Sequence, residues 1–509
     1  MRFAAIKRGL LLCALLLVAP LGLAQQWQDA APRQAGQGQG PFKRLVITNV
    51  MLIRGHSMPA SGPATLVIEG NRLVSSAGFT PRPDDQVIDA TGLYALPGLI
   101  DTHVRLIDGG YESLPPDYGL KLLLAHGVTA IASMQDLSRV DWALRLQRQS
   151  AANEIVAPRV QVWADVSGDS VEEVRANVRV AKKRGVFGIG EGSVYTNNVE
   201  VMRAGLDEAR KAGMRSHWHM SASVAPRFNA LDAARAGLNG LTHWYCLPEV
   251  LFEGQTHPHY PPGFNFSDDR QRFAAAGRLW KQTAPPHSPH WNKVLDEFLA
   301  LDFTFEPTFS VYEAHRDYMR ASRAEWHDAY LHPLLEKTFI PSTTERFSHF
   351  YDWTSTDEAE WRNNFRLWMA FVNEYKNRGG RVIAGTDAGF MWSNFGFGLI
   401  RNLEMLQEAG FSTLEALDAA TIKSAEHLGL QASIGSLETG KLADVVLVAG
   451  NPLTDLKAFY AGGTLRLQPD GSAKKQGGVR YTIKDGIVYD AHGLLREVEQ
   501  MVSEARARR

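Results

Sequence analysis

The chain has very little cysteine, because its 509 residues include only Cys13 and Cys246. Cys13 lies in an N-terminal segment that we expect to be removed, which leaves Cys246 as the one cysteine of the mature chain. A disulfide needs two thiols, so disulfides within the mature chain are excluded. The hydrophobic content of 45% is enough for a large buried core in a chain of this length.

The chain also has no excess of charge of one sign, since 54 lysines and arginines balance 55 aspartates and glutamates. A net charge of -1 gives no general attraction to nucleic acid or to anionic lipid. The sequence contains no internal repeat. The balanced charge excludes nucleic acid as a partner and indicates a small-molecule substrate. It does not decide whether the chain forms a homo-oligomer.

The apolar run near the N-terminus is short and extends from Leu10 to Ala19. Basic residues precede it and Gly22-Leu23-Ala24 follows it, which matches the three zones of a secretory signal peptide. We therefore predict cleavage after residue 24, a periplasmic or secreted location and no stable membrane anchor. A transmembrane anchor is the alternative, but Pro20 and Gly22 interrupt a run that is already short.

Short β-like runs occur near both ends of the chain. Both sets consist of short runs that are apolar or alternate between apolar and polar residues. We therefore predict that residues 42–95 and 431–492 form one small β-sandwich. Residues 25–41, rich in Gln, Gly and Pro, are expected to form a flexible leader, and residues 493–509 a C-terminal helix or tail. The predicted strands are Leu45–Ile53, Thr65–Ile68, Leu73–Ser76, Asp444–Val448, Tyr481–Lys484 and Ile487–Tyr489.

Strand-like and helix-like runs alternate between residues 96 and 430. This alternation predicts an α/β fold with a closed (β/α)8 TIM barrel, although the pattern alone does not separate it from an open doubly wound sheet. The predicted strands are Val128–Met134, Val160–Asp165, Phe187–Gly190, Met214–Met220, Leu241–Tyr245, Phe303–Pro307 and Val382–Gly385.

Two histidines lie at the ends of neighbouring predicted strands. His219 ends one strand and His243 lies on the next, with one helix-like segment between them. The carboxyl ends of parallel barrel strands converge on one mouth, so these imidazoles are placed to share a metal ion. His217 points to the same face of its strand, and there a core or supporting role competes with a role as ligand.

Three ordered motifs make the sequence similar to a known family. They are Ala95-Leu-Pro-Gly-Leu-Ile-Asp-Thr-His103, Gly385-Thr-Asp-Ala-Gly389 and Ile434-Gly-Ser-Leu-Glu-Thr-Gly-Lys-Leu-Ala-Asp444. With the two histidines, these motifs resemble the landmarks of the metal-dependent amidohydrolase superfamily, in its imidazolonepropionase-like and prolidase-like branch. The resemblance implies a metal-binding barrel flanked by a β-sandwich, and hydrolysis of amide or other C–N bonds.

The resemblance also implies a set of metal ligands, which this sequence keeps only in part. His103 matches the first histidine of the family's His-x-His pair, and Arg105 stands where the second is expected. The lysine that bridges two metal ions in the family would fall at Gly190, next to Glu191. The family's remaining ligands are matched by His219 on the fifth strand, His243 on the sixth and Asp387 after the eighth. The resemblance gives this aspartate the roles of ligand and proton acceptor.

The altered positions favour one metal ion over two. At about 5 Å and an effective dielectric of about 20, the guanidinium of Arg105 opposite a divalent ion costs on the order of 6 kcal/mol. We predict one divalent ion, with zinc as the first choice and iron, manganese or nickel as alternatives. Its predicted ligands are His103, His219, His243, Glu191 and Asp387. A strand-end surface position is an equal alternative for Glu191, because a shift of one residue turns a side chain away from the lumen.

Substrate binding is predicted for Arg105 and Tyr195. The guanidinium of Arg105 suits a substrate carboxylate, but it would have a structural role instead as the ion-pair partner of Asp387 or Glu191. Tyr195 follows the fourth strand and is a candidate for the mouth of the barrel. Residues 247–301, rich in proline, histidine and aromatic side chains, are expected to form a lid, with an ordinary packed insertion as the alternative.

The sequence therefore predicts an exported hydrolase that cleaves an amide or other C–N bond, such as that of a dipeptide, N-acyl amino acid or cyclic amide. Water activated by the metal would be the nucleophile, and Asp387 would move the proton to the leaving amine. The changed ligand positions keep a second class open, a barrel that has lost catalysis and acts as a binding or scaffold protein. A lyase or isomerase in the same pocket is a third hypothesis.

Overall fold

The computed structural model describes residues 27–106, 114–190, 197–344 and 348–508. The predicted signal peptide and the predicted site residues Glu191 and Tyr195 lie outside these ranges. Among the described residues, none of the helices combines the length and the apolar character needed to cross a bilayer.

The strands are numbered in chain order. They are β1 (Arg44–Leu52), β2 (Ser61–Glu69), β3 (Arg72–Val74), β4 (Gln86–Asp89), β5 (Leu93–Pro97), β6 (Leu99–Val104), β7 (Val128–Asp136), β8 (Arg159–Asp165), β9 (Gly188–Gly190), β10 (Arg215–Trp218), β11 (Gly240–Thr242), β12 (Thr304–Glu306), β13 (Arg381–Val382), β14 (Val445–Ala449), β15 (Thr464–Leu467), β16 (Ala473–Gln476), β17 (Gly478–Lys484) and β18 (Ile487–Asp490).

The helices are numbered in the same way. They are α1 (Pro116–Ala125), α2 (Val140–Ala151), α3 (Val171–Arg184), α4 (Val199–Lys211), α5 (Ala230–Arg235), α6 (Asp269–Ala276), α7 (Pro289–Ala300), α8 (Glu313–Arg316), α9 (Tyr318–Ser322), α10 (His327–Tyr330), α11 (Pro333–Phe339), α12 (Ser355–Asn377), α13 (Phe397–Glu408), α14 (Thr413–Ala419), α15 (Ile422–His427) and α16 (Ala491–Ala507).

Strands β6 to β13 form one parallel sheet in sequential order. The segment after β13 returns to β6, where the amide of Thr102 donates to the carbonyl of Ala384 at 3.1 Å and that of Asp387 to the carbonyl of His103 at 2.9 Å. These bonds close the sheet into a barrel. The predicted (β/α)8 barrel is confirmed, and the open doubly wound alternative is wrong because the first and last strands meet.

A second sheet combines both ends of the described chain in the order β18-β17-β14-β5-β1-β2-β3, with β4 beside β1. Strand β5 lies between β1 and β14, and Ala95 pairs with Leu447 across the junction. The apolar faces of these strands share a separate small core. The predicted β domain built from both ends is thus confirmed. The hairpin of β15 and β16 is an additional element that the sequence pattern did not reveal.

The two terminal segments are held against these domains. Residues 27–41, expected to form a flexible leader, instead form bridges from Pro32 to Ile155 and from Gln39 to Val488. Backbone pairing with two neighbours fixes this segment, a tertiary contact that its composition does not reveal. At the other end, α16 packs on α1. Glu497 of α16 forms an ion pair with Lys121 of α1 at 2.8 Å.

Candidate active site

Barrel closure brings the ends of β6, β11 and β13 together at one point. His103 lies one residue before the end of β6, His243 directly follows β11, and Asp387 lies in the segment after β13. Their side chains are buried, and one ligand atom from each lies within 4.8 Å of the others. We refer to these three residues as the His-Asp cluster.

The geometry of the His-Asp cluster suits a metal ion. The Nε2 atom of His103 lies 3.2 Å from Oδ1 of Asp387, and the Nε2 atom of His243 lies 3.4 Å from Oδ2. Among the described residues, none forms a hydrogen bond with Nε2 of His243, although this atom is buried. Two imidazole nitrogens and a carboxylate are a common ligand set for a catalytic divalent ion, so these residues fit one.

His219 lies beside the cluster. Its ring centroid is 4.8 Å from that of His243 at an interplanar angle of 83°, and its ring stacks on Tyr245 at 4.4 Å. The two histidine rings therefore lie together, as the sequence predicted. However, the converging ligand atoms in the described part of the chain belong to the His-Asp cluster and not to His219. A ligand role for His219 stays a prediction.

Arg105 forms an ion pair with the cluster. Its Nε donates to Oδ1 of Asp387 at 2.6 Å, and its guanidinium lies 5.1 Å from the ring centroid of Phe390. Burial by itself would raise the pKa of Asp387, but the charges of Arg105 and His103 hold this pKa well below its usual value. Two roles were expected for Arg105, and the structure contains the ion pair with Asp387. The other role, binding of a substrate carboxylate, stays a prediction.

Glu306, the last residue of β12, is a site residue that was not predicted from the sequence. This buried carboxylate accepts hydrogen bonds from Nε2 of His217 at 2.7 Å and from Nδ1 of His103 at 3.3 Å, and another from the Thr102 hydroxyl. Burial opposes its ionisation, but His217 and His103 keep its pKa well below the usual range. The signal in the sequence that could have predicted it is the position of an acidic residue within the predicted strand Phe303–Pro307.

The two carboxylates act on His103 from opposite sides of its ring. Burial would lower the pKa of this imidazole, but Asp387 and Glu306 together raise the pKa to about 10. A metal ion binds the deprotonated ring nitrogen, so metal binding at Nε2 would release this proton. His217, bonded to Glu306, supports the cluster from outside it, which is one of the roles expected for this residue.

Threonine hydroxyls orient both histidines of the cluster. Oγ1 of Thr242 lies 3.0 Å from Nδ1 of His103, and Oγ1 of Thr308 lies 2.5 Å from Nδ1 of His243. His243, Thr308 and Asp387 also have positive backbone φ angles of 64°, 48° and 54°. Non-glycine residues rarely adopt such angles, and strained backbone of this kind is concentrated at functional sites.

The expected lid segment, 247–301, contains a packed part and an exposed part. Trp280 and Trp291 are fully buried in the main core, whereas His257, His259 and His287 are exposed. The alternative of a packed insertion therefore describes its two tryptophans, and a lid role for the segment stays a prediction.

The sequence matches the family model described as "Amidohydrolase family" over residues 94–250 and 368–488. A dihydroorotase of Syntrophotalea carbinolica is 29% identical over 178 residues, which are 33% of this chain and 40% of that protein. An N-acyl-D-aspartate deacylase of Alcaligenes xylosoxydans xylosoxydans is 28% identical over 204 residues, 33% of this chain and 38% of that protein. The chain thus spans about two fifths of the length of these relatives.

The fold is similar to that of a Xaa-Pro dipeptidase whose crystal structure has methionine bound in the active site. The TM-score is 0.58 at 19% identity, and the match covers 88% of this chain and 100% of the other. Because the family model covers more than half of the chain and the barrel carries the His-Asp cluster, the chain belongs to the amidohydrolase family, whose members act on carbon–nitrogen bonds.

Proposed function

We propose that this protein is an exported hydrolase that cleaves an amide or other C–N bond of a dipeptide, an N-acyl amino acid or a cyclic amide with one divalent metal ion. The convergence of His103, His243 and Asp387 in a buried cluster supports this proposal more than any other observation. Zinc is the first choice of metal because imidazole and carboxylate ligands suit it, although the same ligands accept iron or manganese.

His103, His243 and Asp387 would hold the ion, which would polarise the scissile carbonyl and activate a water molecule. The chain's own groups provide the remaining steps. The carboxylate of Asp387 accepts the proton of the attacking water and delivers it to the leaving amine nitrogen as the C–N bond breaks. Arg105 holds this carboxylate in place through its 2.6 Å ion pair. Glu306 fixes the ring of His103 through the hydrogen bond with its Nδ1 atom.

The names of the similar proteins support the substrate class. Dihydroorotase, N-acyl-D-aspartate deacylase and Xaa-Pro dipeptidase are the activities named for three of them. Aspartate derivatives and dipeptides contain a carboxylate next to the amide, and a guanidinium such as that of Arg105 is suited to bind one. We therefore propose a substrate with a free carboxylate.

Elemental analysis of the purified mature protein tests the metal. We expect about one equivalent per chain, loss of hydrolysis of an N-acyl amino acid and dipeptide panel on chelation, and recovery on adding zinc. His103→Ala and His243→Ala should each remove the metal, whereas His259→Ala, at an exposed position in the insertion, should retain it. His219→Ala decides whether that ring is a ligand.

Asp387→Asn tests the proton transfer. Loss of a positioned general base typically slows turnover about 10²- to 10⁴-fold, and we expect this decrease with part of the metal retained by the two imidazoles. Full activity of Asp387→Asn would contradict the proton route.

The Arg105–Asp387 ion pair favours one alternative, because a guanidinium bonded to the carboxylate supplies positive charge where a metal would. In that case the barrel is catalytically inactive and binds its ligand without cleaving it. A wild-type protein that contains no metal, takes up none on adding zinc and hydrolyses nothing in the panel would support this alternative.

A further inference from the structure

One cavity of the described chain is lined by residues outside the His-Asp cluster. Its volume is about 300 Å³, and its wall includes Ser310 and Glu313 from the segment after β12, Arg320 from α9, and Gly398 and Arg401 from α13. No member of the His-Asp cluster lines it. A volume of this size falls at the lower end of the range for small-molecule pockets.

One loop borders both the cavity and the cluster. It leaves the barrel at Asp387, and its later residues Trp392, Ser393 and Asn394 line the cavity. Met391 and Trp392 have positive φ angles of 44° and 71°. These angles mark a turn in the loop just before Ser393 and Asn394 enter the cavity wall.

The cavity wall contains hydrogen-bond donors that lack acceptors. The hydroxyl oxygens of Ser310 and Ser393 and the indole nitrogens of Trp326 and Trp392 are buried and have no hydrogen-bond partner among the described residues. The two serines are only 6% and 3% exposed. An indole N–H can only donate, and a hydroxyl can donate, so a molecule that satisfies these groups must bring acceptor atoms. A buried polar group without a hydrogen-bond partner is costly.

The charges around the cavity also favour an acceptor that is anionic. Arg401 bonds Glu313 with Nη2–Oε1 at 2.7 Å and bonds Glu404 at 2.6 Å, and Arg320 reaches Glu313 at 3.3 Å. These four groups balance one another. Arg323, an exposed residue that also lines the cavity, forms no ion pair with a described residue, so its positive charge is left over among these five groups.

The apolar part of the wall is aromatic. The ring of Trp326 stacks on Phe397 with centroids 5.0 Å apart, and Trp392 lines the cavity through the loop after β13. Flat indole walls suit a flat apolar group, because stacked or edge-on aromatic contacts stabilise beyond their buried area. We propose that this cavity is a second binding site for a small aromatic monocarboxylate, whose carboxylate meets Arg323 and the serine hydroxyls while its ring lies against the indoles.

Calorimetric titration of the full mature protein with phenylacetate tests this site, with phenylacetamide as the uncharged probe of the same shape. We expect phenylacetate to bind and phenylacetamide to bind at least about tenfold more weakly, since hydrogen bonds to a charged group are stronger than those to a neutral one. Arg323→Gln and Ser393→Ala should each weaken phenylacetate binding, and Ala324→Phe should abolish it by filling the cavity. Arg496→Gln, an exposed change on α16, should leave the affinity unchanged.

A metal-centre variant separates this site from the active site. Asp387→Asn should retain phenylacetate binding with wild-type affinity. The proposal is overturned if phenylacetate does not bind at millimolar concentration, if both probes bind equally, or if Asp387→Asn abolishes binding while Arg323→Gln leaves it intact. Should Ala324→Phe fail to fold, the Arg323 and Ser393 variants decide the question, because an exposed arginine and a serine hydroxyl can be replaced without creating a large cavity.

Discussion

Two threonine hydroxyls determine how the histidines of the cluster present their second nitrogens. Thr242 and Thr308 engage the Nδ1 atoms of His103 and His243, so that both Nε2 atoms face Asp387. Groups that orient a metal-binding imidazole typically change metal affinity 10- to 100-fold when removed. The geometry of the cluster therefore depends on these hydroxyls as well as on its three members.

Replacing Thr308 by valine tests this orientation. Thr308→Val keeps the branched shape and removes the hydroxyl, so we expect the metal dissociation constant to rise about 10- to 100-fold while the fold is retained. Competition with a chromophoric chelator measures this constant. Thr338→Val, which removes the hydroxyl bonded to the Leu335 carbonyl in α11, is the matched control and should leave the constant unchanged. An unaltered constant in Thr308→Val would show that His243 is held by its packing alone.

Three strand ends of the barrel approach one another closely at Gly385, between β13 and the Asp387 loop. A Cβ atom at this position would overlap the carboxylate of Glu306 and lie 2.9 Å from the Cβ of His103. The glycine that opens the Gly-Thr-Asp-Ala-Gly motif is therefore required by the tight contact of three strand ends. Its absence of a side chain leaves the space in which Glu306 meets His103.

Gly385→Ala should disturb this contact. Overpacking of a dense interior costs about 1–3 kcal/mol, so we expect the free energy of unfolding in urea to fall by this amount and metal binding to weaken with it. Gly462→Ala is the matched control, because a Cβ there would meet only one side-chain atom, at 4.0 Å. A decrease of the same size in the free energy of unfolding of both variants would contradict a specific role for the contact at Gly385.

At the scale of the whole molecule, one buried carboxyl couples stability to pH. Glu249 is 6% exposed, and neither of its oxygens has a hydrogen-bond partner among the described residues. Burial raises its pKa from 4.5 to about 7. Between these values the folded chain binds more protons than the unfolded one, so stability falls as the pH rises through this window. The difference corresponds to about 3 kcal/mol at most.

Glu249→Gln removes this titration. We expect the variant to gain stability relative to the wild type on going from pH 4.5 to pH 8, by up to about 3 kcal/mol, as measured by urea unfolding at both pH values. Glu253→Gln, at an exposed position in the same segment, should show no such pH-dependent gain. A stability difference between Glu249→Gln and wild type that is constant with pH would place the ionised carboxylate in contact with water.

Alternation and strand-end position are local properties of the chain, so the sequence predicted the alternating strands and helices, the β domain from both ends and the histidines that follow the strands. It did not separate a closed barrel from an open sheet, because closure depends on the meeting of the first and last strands. His243 was predicted from its place at a strand end, whereas His103 and Asp387 were predicted from the motifs that resemble the amidohydrolase superfamily. Tertiary structure alone decided the rest. The role of Glu306, the partner of Arg105 and the stacking of His219 on Tyr245 depend on which side chains meet once the barrel closes. Such contacts join residues far apart in sequence, and no local pattern encodes them.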